Sequence, residues 1–249
     1  MKKLLAILFW FGVWWAAAAA VQQPLLLPSP AVVFLRLFTL IRQPEFWEIL
    51  SMSIWSIMTG ILCAVVLGVF LAVLTCRFPL LDTMCAPVLT VVKSTPVASF
   101  IILVLIWIGR DRVPAVISGL MVLPVVWNNV AAGLRNMDRD LLEMAVLYQL
   151  RPGVKLRRLY VPAVTPHFLS AVKSAIGIGW KAGIAAEVLT VPARSIGKMI
   201  YDAKLYLETT DLFTWTLVVI IISLFIEKII IAALSRLGKR YDSEAVTAP

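Results

Sequence analysis

The amino-acid sequence predicts an all-α integral membrane protein that crosses the bilayer six times. Three observations predict this class. Of 249 residues, 61% are hydrophobic and 15% charged, against roughly 45 to 50% and about 25% in a soluble domain, an excess that one water-soluble core does not absorb. Apolar runs of about 20 residues recur along the chain, each long enough to cross a roughly 30 Å hydrocarbon layer as a helix. These Leu/Ile/Val/Ala runs lack the two-residue alternation of a transmembrane barrel, so helices are left to satisfy the backbone amides in lipid.

Each element follows in order. Lys2-Lys3 precede the apolar stretch Leu4 to Val21, which reads either as a first membrane helix or as a secretory signal with Ala16 to Ala20 at its processing end. Its length and the apolar segments behind it favour retention. Gln22 to Glu48 contains Pro24, Pro28, Pro30 and Pro44 and reads as a loop with a short helix around Ala31 to Ile41. Ile49 to Cys76 has no charged residue and forms the second span, closed by a tight turn at Arg77, Pro79 and Asp82. Thr83 to Gly109 is the third, bent where Pro96 frees a helical carbonyl. The fourth runs from Val113 to about Leu134, with Pro114 in its first turn. Arg135 to Pro166 is polar, Phe168 to Leu189 is a fifth apolar segment, Thr190 to Asp211 is a polar loop, and Leu212 to Leu234 is the sixth. The chain divides into a first helix and external loop (1–48), a core (49–235) containing the loop at 135–166, and a tail (236–249).

The net charge of +9 belongs to loops at membrane-helix ends, where the positive-inside bias and anionic headgroups account for it without nucleic acid. With the N-terminus inside, Lys2, Lys3, Arg77, Arg135, Arg139, Arg151, Lys155, Arg157, Arg158, Arg236, Lys239 and Arg240 fall on the cytoplasmic side. Arg36, Arg42, Arg110, Arg112, Arg194, Lys198 and Lys204 fall opposite. The larger basic group places both termini and the 135–166 loop in the cytoplasm. Cys63, Cys76 and Cys85 have neither metal-ligand nor disulfide-scaffold spacing.

Asp140 to Pro166 reads DLLEMAVLYQLRPGVKLRRLYVPAVTP. Leu141, Leu142, Met144, Ala145, Leu147 and Tyr148 have the period of a short amphipathic helix, ended by Pro152-Gly153. An ordinary solvated loop rarely needs such an apolar face; in water it is a docking surface for a cytoplasmic partner.

This segment resembles the signature of the binding-protein-dependent permeases, the membrane subunits of bacterial ATP-binding cassette importers. Glu143-Met144-Ala145 stands where the family has Glu-Ala-Ala, Gln149 where it has Gly, and Leu159 to Pro162 at the distance of its Leu-Pro. Lys93-Ser94-Thr95-Pro96-Val97-Ala98, Ile106-Trp107-Ile108-Gly109 and Ala186-Glu187 are similar to further family features. The resemblance is strongest to the branch that imports nitrate, sulfonates, taurine or thiamine-precursor pyrimidines, and covers about residues 50 to 235. It implies a type I ABC importer permease fold, with Leu142, Glu143, Met144, Ala145, Tyr148, Gln149, Arg151 and Gly153 forming a coupling helix against the ATPase. It also implies a second copy of the chain, two cytosolic ABC ATPase subunits that carry ATP and Mg, an extracytoplasmic substrate-binding protein, and location in the bacterial inner membrane. Met144 and Gln149 depart from the signature, and Pro152-Gly153 is expected to supply the break that glycine would have made.

Candidate pathway residues are Lys93, Pro96, Asn128, Gly179, Lys181, Gly183 and Glu187. Ala175, Gly179 and Gly183 form a small-residue stripe that serves either close helix packing or a helix near the dimer axis. Lys181 lies near mid-span, where it lines a path for an anionic solute, forms an ion pair with a group such as Glu187, or snorkels. Asn128 and Asn129 can bond across helices. No phosphate loop of the Gly-x-x-x-x-Gly-Lys-Ser/Thr type occurs, so no cofactor is expected on this chain and ATP must bind elsewhere. A membrane enzyme acting on lipid or phosphate is one alternative; it would need several acids, histidines or nucleophiles converging at one depth, and the sequence shows only scattered ones. A non-transporting scaffold is the other alternative, separated from a permease by ATP-dependent uptake.

Overall fold

Proline marks where the helices begin. In the computed structural model, which describes residues 2–246 and the side chains of 5–233, Pro30, Pro44, Pro79, Pro114, Pro152 and Pro162 each occupy the first or second position of a helix. A missing amide hydrogen costs nothing there. In chain order the helices are α1 (Lys2–Val21), α2 (Pro30–Ile41), α3 (Pro44–Arg77), α4 (Pro79–Ser94), α5 (Val97–Trp107), α6 (Val113–Arg135), α7 (Arg139–Leu147) and α8 (Pro152–Lys155). A π-helical turn at Leu156–Tyr160 leads into α9 (Val161–Thr190), followed by α10 (Ile196–Leu205) and α11 (Thr209–Val246). α10 lies where a polar loop was expected, and α11 continues past the expected end of the last span at Leu234.

The expectation of six spans is corrected. Among the described residues, three helices are long and apolar enough to cross a bilayer: α3, α6 and the Thr209–Ala233 part of α11. A fourth is reached only if α4 and α5, bent by 109° at the Thr95-Pro96 break, count as one broken span. The described apolar part of α1, Leu5–Val21, falls short of the crossing class, which begins at about 18 residues. α9 is long enough but carries Lys173, Lys181 and Glu187. An apolar run in a sequence measures composition, whereas crossing also demands an unbroken axis and few charges.

α6 is the centre of the packing, with α3 and α9 as its principal neighbours. α3 runs parallel to α6 and α9 antiparallel to it. Along α3, Gly60 abuts Ala115, Gly68 abuts Val126, and Thr75 Oγ1 accepts a hydrogen bond from Trp127 Nε1 at 3.0 Å. Along α9, His167 touches Gly133, Gly179 lies against Val122 and Ile61, and Gly183 lies against Ser118 and Ile57. A β-carbon at Gly60 would land on the backbone carbonyl of Ala115, so glycine sets the distance between these two axes.

The remaining helices wrap this trio. α11 packs on α2, α9 and α10, with Phe46 stacked on Trp215 at 5.4 Å between ring centroids. Arg36 clamps α2 to the start of α11 through two hydrogen bonds to Asp211, of 2.6 and 2.7 Å. That bond raises the Arg36 pKa above its ordinary value. α1 is held by Trp14, whose Nε1 donates to Pro28 O at 3.2 Å and whose ring stacks on Phe213.

This trio gives the molecule two polar ends. At one, Arg135 bonds Asp82 at 2.7 Å beside the exit to α7. At the other, Arg194 pairs with Glu48 near Asp111 and the α9–α10 connection.

Candidate functional site

α7 starts on Asp138, whose side chain accepts a hydrogen bond from the Asp140 amide at 2.9 Å, a local N-cap that fixes where the helix begins. It stops at Leu147. The Tyr148 amide donates to Met144 O at 2.9 Å, and Gln149 turns left-handed with φ of 51° so that the Leu150 amide reaches Ala145 O at 3.1 Å. The position where the resembling family carries glycine thus takes the conformation glycine favours, with glutamine bearing the strain. Pro152-Gly153 opens α8 and does not terminate α7, because proline at a first helical position starts a helix more readily than it ends one.

The faces of α7 are unequal. Leu141, Met144, Val146, Leu147 and Tyr148 are exposed, Leu147 by 77% and Tyr148 by 71%. Ala145, by contrast, is 2% exposed and faces this chain's own interior. Leu142 is half-buried, while Glu143, Gln149, Arg151 and Gly153 are exposed.

The pathway candidates do not converge. Lys93 and Pro96 are exposed at the α4–α5 break. Asn128 and Asn129 turn back on their own helix, donating to Pro124 O and Val125 O at 2.7 and 2.8 Å. Gly179 and Gly183 are buried against α3 and α6 within the chain. Lys181 is exposed, on a stripe with Ser174, Ile178, Ala185 and Leu189 along one side of an otherwise buried helix.

Glu187 is 1% exposed, and its partners come from two other elements. Its Oε2 accepts from Ser53 Oγ of α3 and from the Gly197 amide of α10, both at 3.0 Å. Ser53 Oγ in turn accepts from the Ile196 amide at 2.9 Å, and Ser195 Oγ accepts from the Lys198 amide at 3.1 Å. The first turn of α10 is therefore capped by three separate oxygens, which satisfies amides that a helix start otherwise leaves orphaned. Gly197 is required there, since a β-carbon would overlap the Glu187 backbone.

Beside this junction lies a cavity of about 700 Å³ lined by Ser51, Met52, Trp55, Ser56, Asp111, Pro114, Glu187 and Pro192 to Ser195. Sequence reasoning singled out Glu187 but missed Ser53, Trp55, Asp111 and the α10 cap. Only Ser195 followed by an apolar turn carried a local signal, that of an N-cap. Among the described residues, no group of three or more His, Cys, Asp or Glu side chains could hold a metal ion.

Comparison with known proteins gives this architecture its place. The family described as "Binding-protein-dependent transport system inner membrane component" matches residues 64–243. A permease protein of Escherichia coli K12 named for aliphatic sulfonates transport is 33% identical over 221 residues, covering 84% of this chain and 82% of its own. The taurine transport system permease protein of the same organism is 25% identical over 222 residues, covering 86% and 80%. The riboflavin transport system permease protein of Chloroflexus aurantiacus is 27% identical over 237 residues, covering 93% and 87%. With helices that cross the membrane more than once, an exposed apolar helix between α6 and α9, and a family match over most of its length, this chain belongs to the binding-protein-dependent transport system inner membrane components and is the multi-pass permease subunit of an ABC-type importer for a small solute.

Proposed function

We propose that α7 is the element through which this permease is driven, its exposed Met144, Leu147 and Tyr148 docking into a groove of a cytosolic ABC ATPase. The single observation that carries this reading is an apolar face left in water on a helix too short to cross lipid. Such a face gains stability only when covered, and Glu143, Gln149, Arg151 and Gly153 supply its exposed polar surround. In this reading the 135–166 loop and both termini are cytoplasmic. Two ATPase subunits bind ATP and Mg, and an extracytoplasmic protein delivers the solute to the opposite end. A second copy of the chain covers the Lys181 stripe of α9, and alternating access between the copies moves a small anionic solute past Lys181. The aliphatic sulfonates for which the Escherichia coli relative is named are anions and support this charge.

The test is Leu147→Glu combined with Tyr148→Glu, assayed by co-purification of the ATPase and by ATP-dependent uptake. Both are expected to fall with membrane insertion unchanged, because a charge set into a desolvated contact costs about 2 kcal/mol or more. Normal ATPase binding and normal uptake would overturn the assignment. Ala145→Glu does not serve this purpose, since Ala145 is already covered within the chain.

A further inference from the structure

The cavity at the end opposite α7 has a charge character of its own. Asp111 and Glu187 both line it. The one basic residue in the lining, Arg194, is committed to Glu48 outside it. Arg110 and Arg112 flank Asp111 in sequence but do not line the space. Among the described residues, the one hydrogen bond Asp111 accepts is a long contact from the Ala193 amide, at 3.4 Å.

Glu187 is the informative residue. Both hydrogen bonds that hold it fall on Oε2, and no bond to Oε1 occurs among the described residues. The side chain is almost wholly buried yet forms part of the cavity wall. One carboxylate oxygen is thus fixed by the protein while the other is left for whatever enters. Ser51 and Ser56 add hydroxyls, and Met52, Pro114 and Trp55 add apolar walls, with Trp55 74% exposed. An open indole and two carboxylates in one lining suit a cation with an apolar body, held by charge at one end and by apolar contact with the ring at the other. The volume lies in the range of small-molecule sites, about 300 to 1,000 Å³.

From this arrangement we infer that the cavity between α3, the start of α6 and the α9–α10 connection is a binding site for a small organic ammonium ion, with Asp111 and Glu187 Oε1 as acceptors and Trp55 as the ring that packs on its alkyl part. The site stands apart from the α7 docking surface and from Lys181, and it needs neither to be correct.

Binding is tested on the intact permease complex in neutral-lipid nanodiscs without ATP, so failure of transport does not bear on the result. Labelled n-propylammonium is titrated by equilibrium dialysis at constant ionic strength against sodium chloride, with methanesulfonate as the anionic control. Saturable binding is expected at one site per permease chain, displaced by ethylammonium and indifferent to methanesulfonate. Asp111→Asn and Glu187→Gln should each weaken it at least tenfold, and Trp55→Ala should weaken it without abolishing it. Because Glu187→Gln also touches the α10 cap, the exposed Asp111 variant decides the matter if the Glu187 variant does not fold. Absence of saturable binding, normal affinity in Asp111→Asn, or displacement by methanesulfonate would each overturn the proposal.

Discussion

Glu187 and Ser53 stand 134 positions apart in the chain and share a buried hydrogen bond of 3.0 Å. Through it α3, α9 and α10 meet at one point, because Ser53 donates to Glu187 and accepts from the first amide of α10. Removing this hydroxyl strands an amide and weakens the hold on a carboxylate, and each buried polar group left unpaired costs about 1 to 3 kcal/mol. Ser53→Ala is therefore expected to lower the thermal stability of the purified permease by about 2 kcal/mol or more. Unchanged melting would detach α10 from this network.

Glycines that look alike in the sequence should respond in opposite ways to alanine. Gly60→Ala drives a methyl into backbone at Ala115, and overpacking of that kind costs about 1 to 3 kcal/mol or more. At Gly177 nothing lies within 4 Å, so alanine there should be neutral or add up to about 1 kcal/mol through helix propensity. Yield and melting temperature of the two variants, compared side by side, measure the difference. Equal behaviour would deny the close α3–α6 approach.

At Gln149 the left-handed backbone predicts that Gln149→Gly stabilises the turn after α7 by about 1 kcal/mol. Gln149→Val should destabilise it, since a β-branched residue is poorly tolerated at positive φ. Melting of the detergent-purified protein checks the order Gly, Gln, Val. Any other order would remove strain at Gln149 from the account.

Lys181→Met is expected to leave complex yield intact and reduce uptake, because the side chain is exposed on its stripe and, among the described residues, makes no ion pair or buried hydrogen bond of the kind that holds Glu187. Yield and uptake are read on the same preparations. Full uptake would remove Lys181 from the path, and loss of the complex would reassign it to assembly.

Single cysteines at positions 112 and 149 should be labelled from opposite sides of sealed vesicles. The two positions flank α6, which is long and apolar enough to cross, and the basic bias places 149 inside. Labelling of both from one side would overturn the orientation.

Sequence alone determined the class and the family of this protein. Hydrophobic runs, proline punctuation and the Glu143 to Pro162 spacing are local features, and local features need no knowledge of what packs where. The number of helices fit to cross the membrane was not legible in the same way, because Pro96 breaks one apolar run by 109° and α9, which carries Lys173, Lys181 and Glu187, is not among the helices apolar enough to cross. The face that Ala145 turns inward, the oxygens that cap α10 and the cavity beside Glu187 were decided by tertiary structure. Glu187 could have met Lys181 on its own helix. It meets Ser53 instead, because the close α3–α6–α9 packing that small residues permit carries α3 and α10 to its carboxylate, while Lys181 points to the opposite, uncovered side.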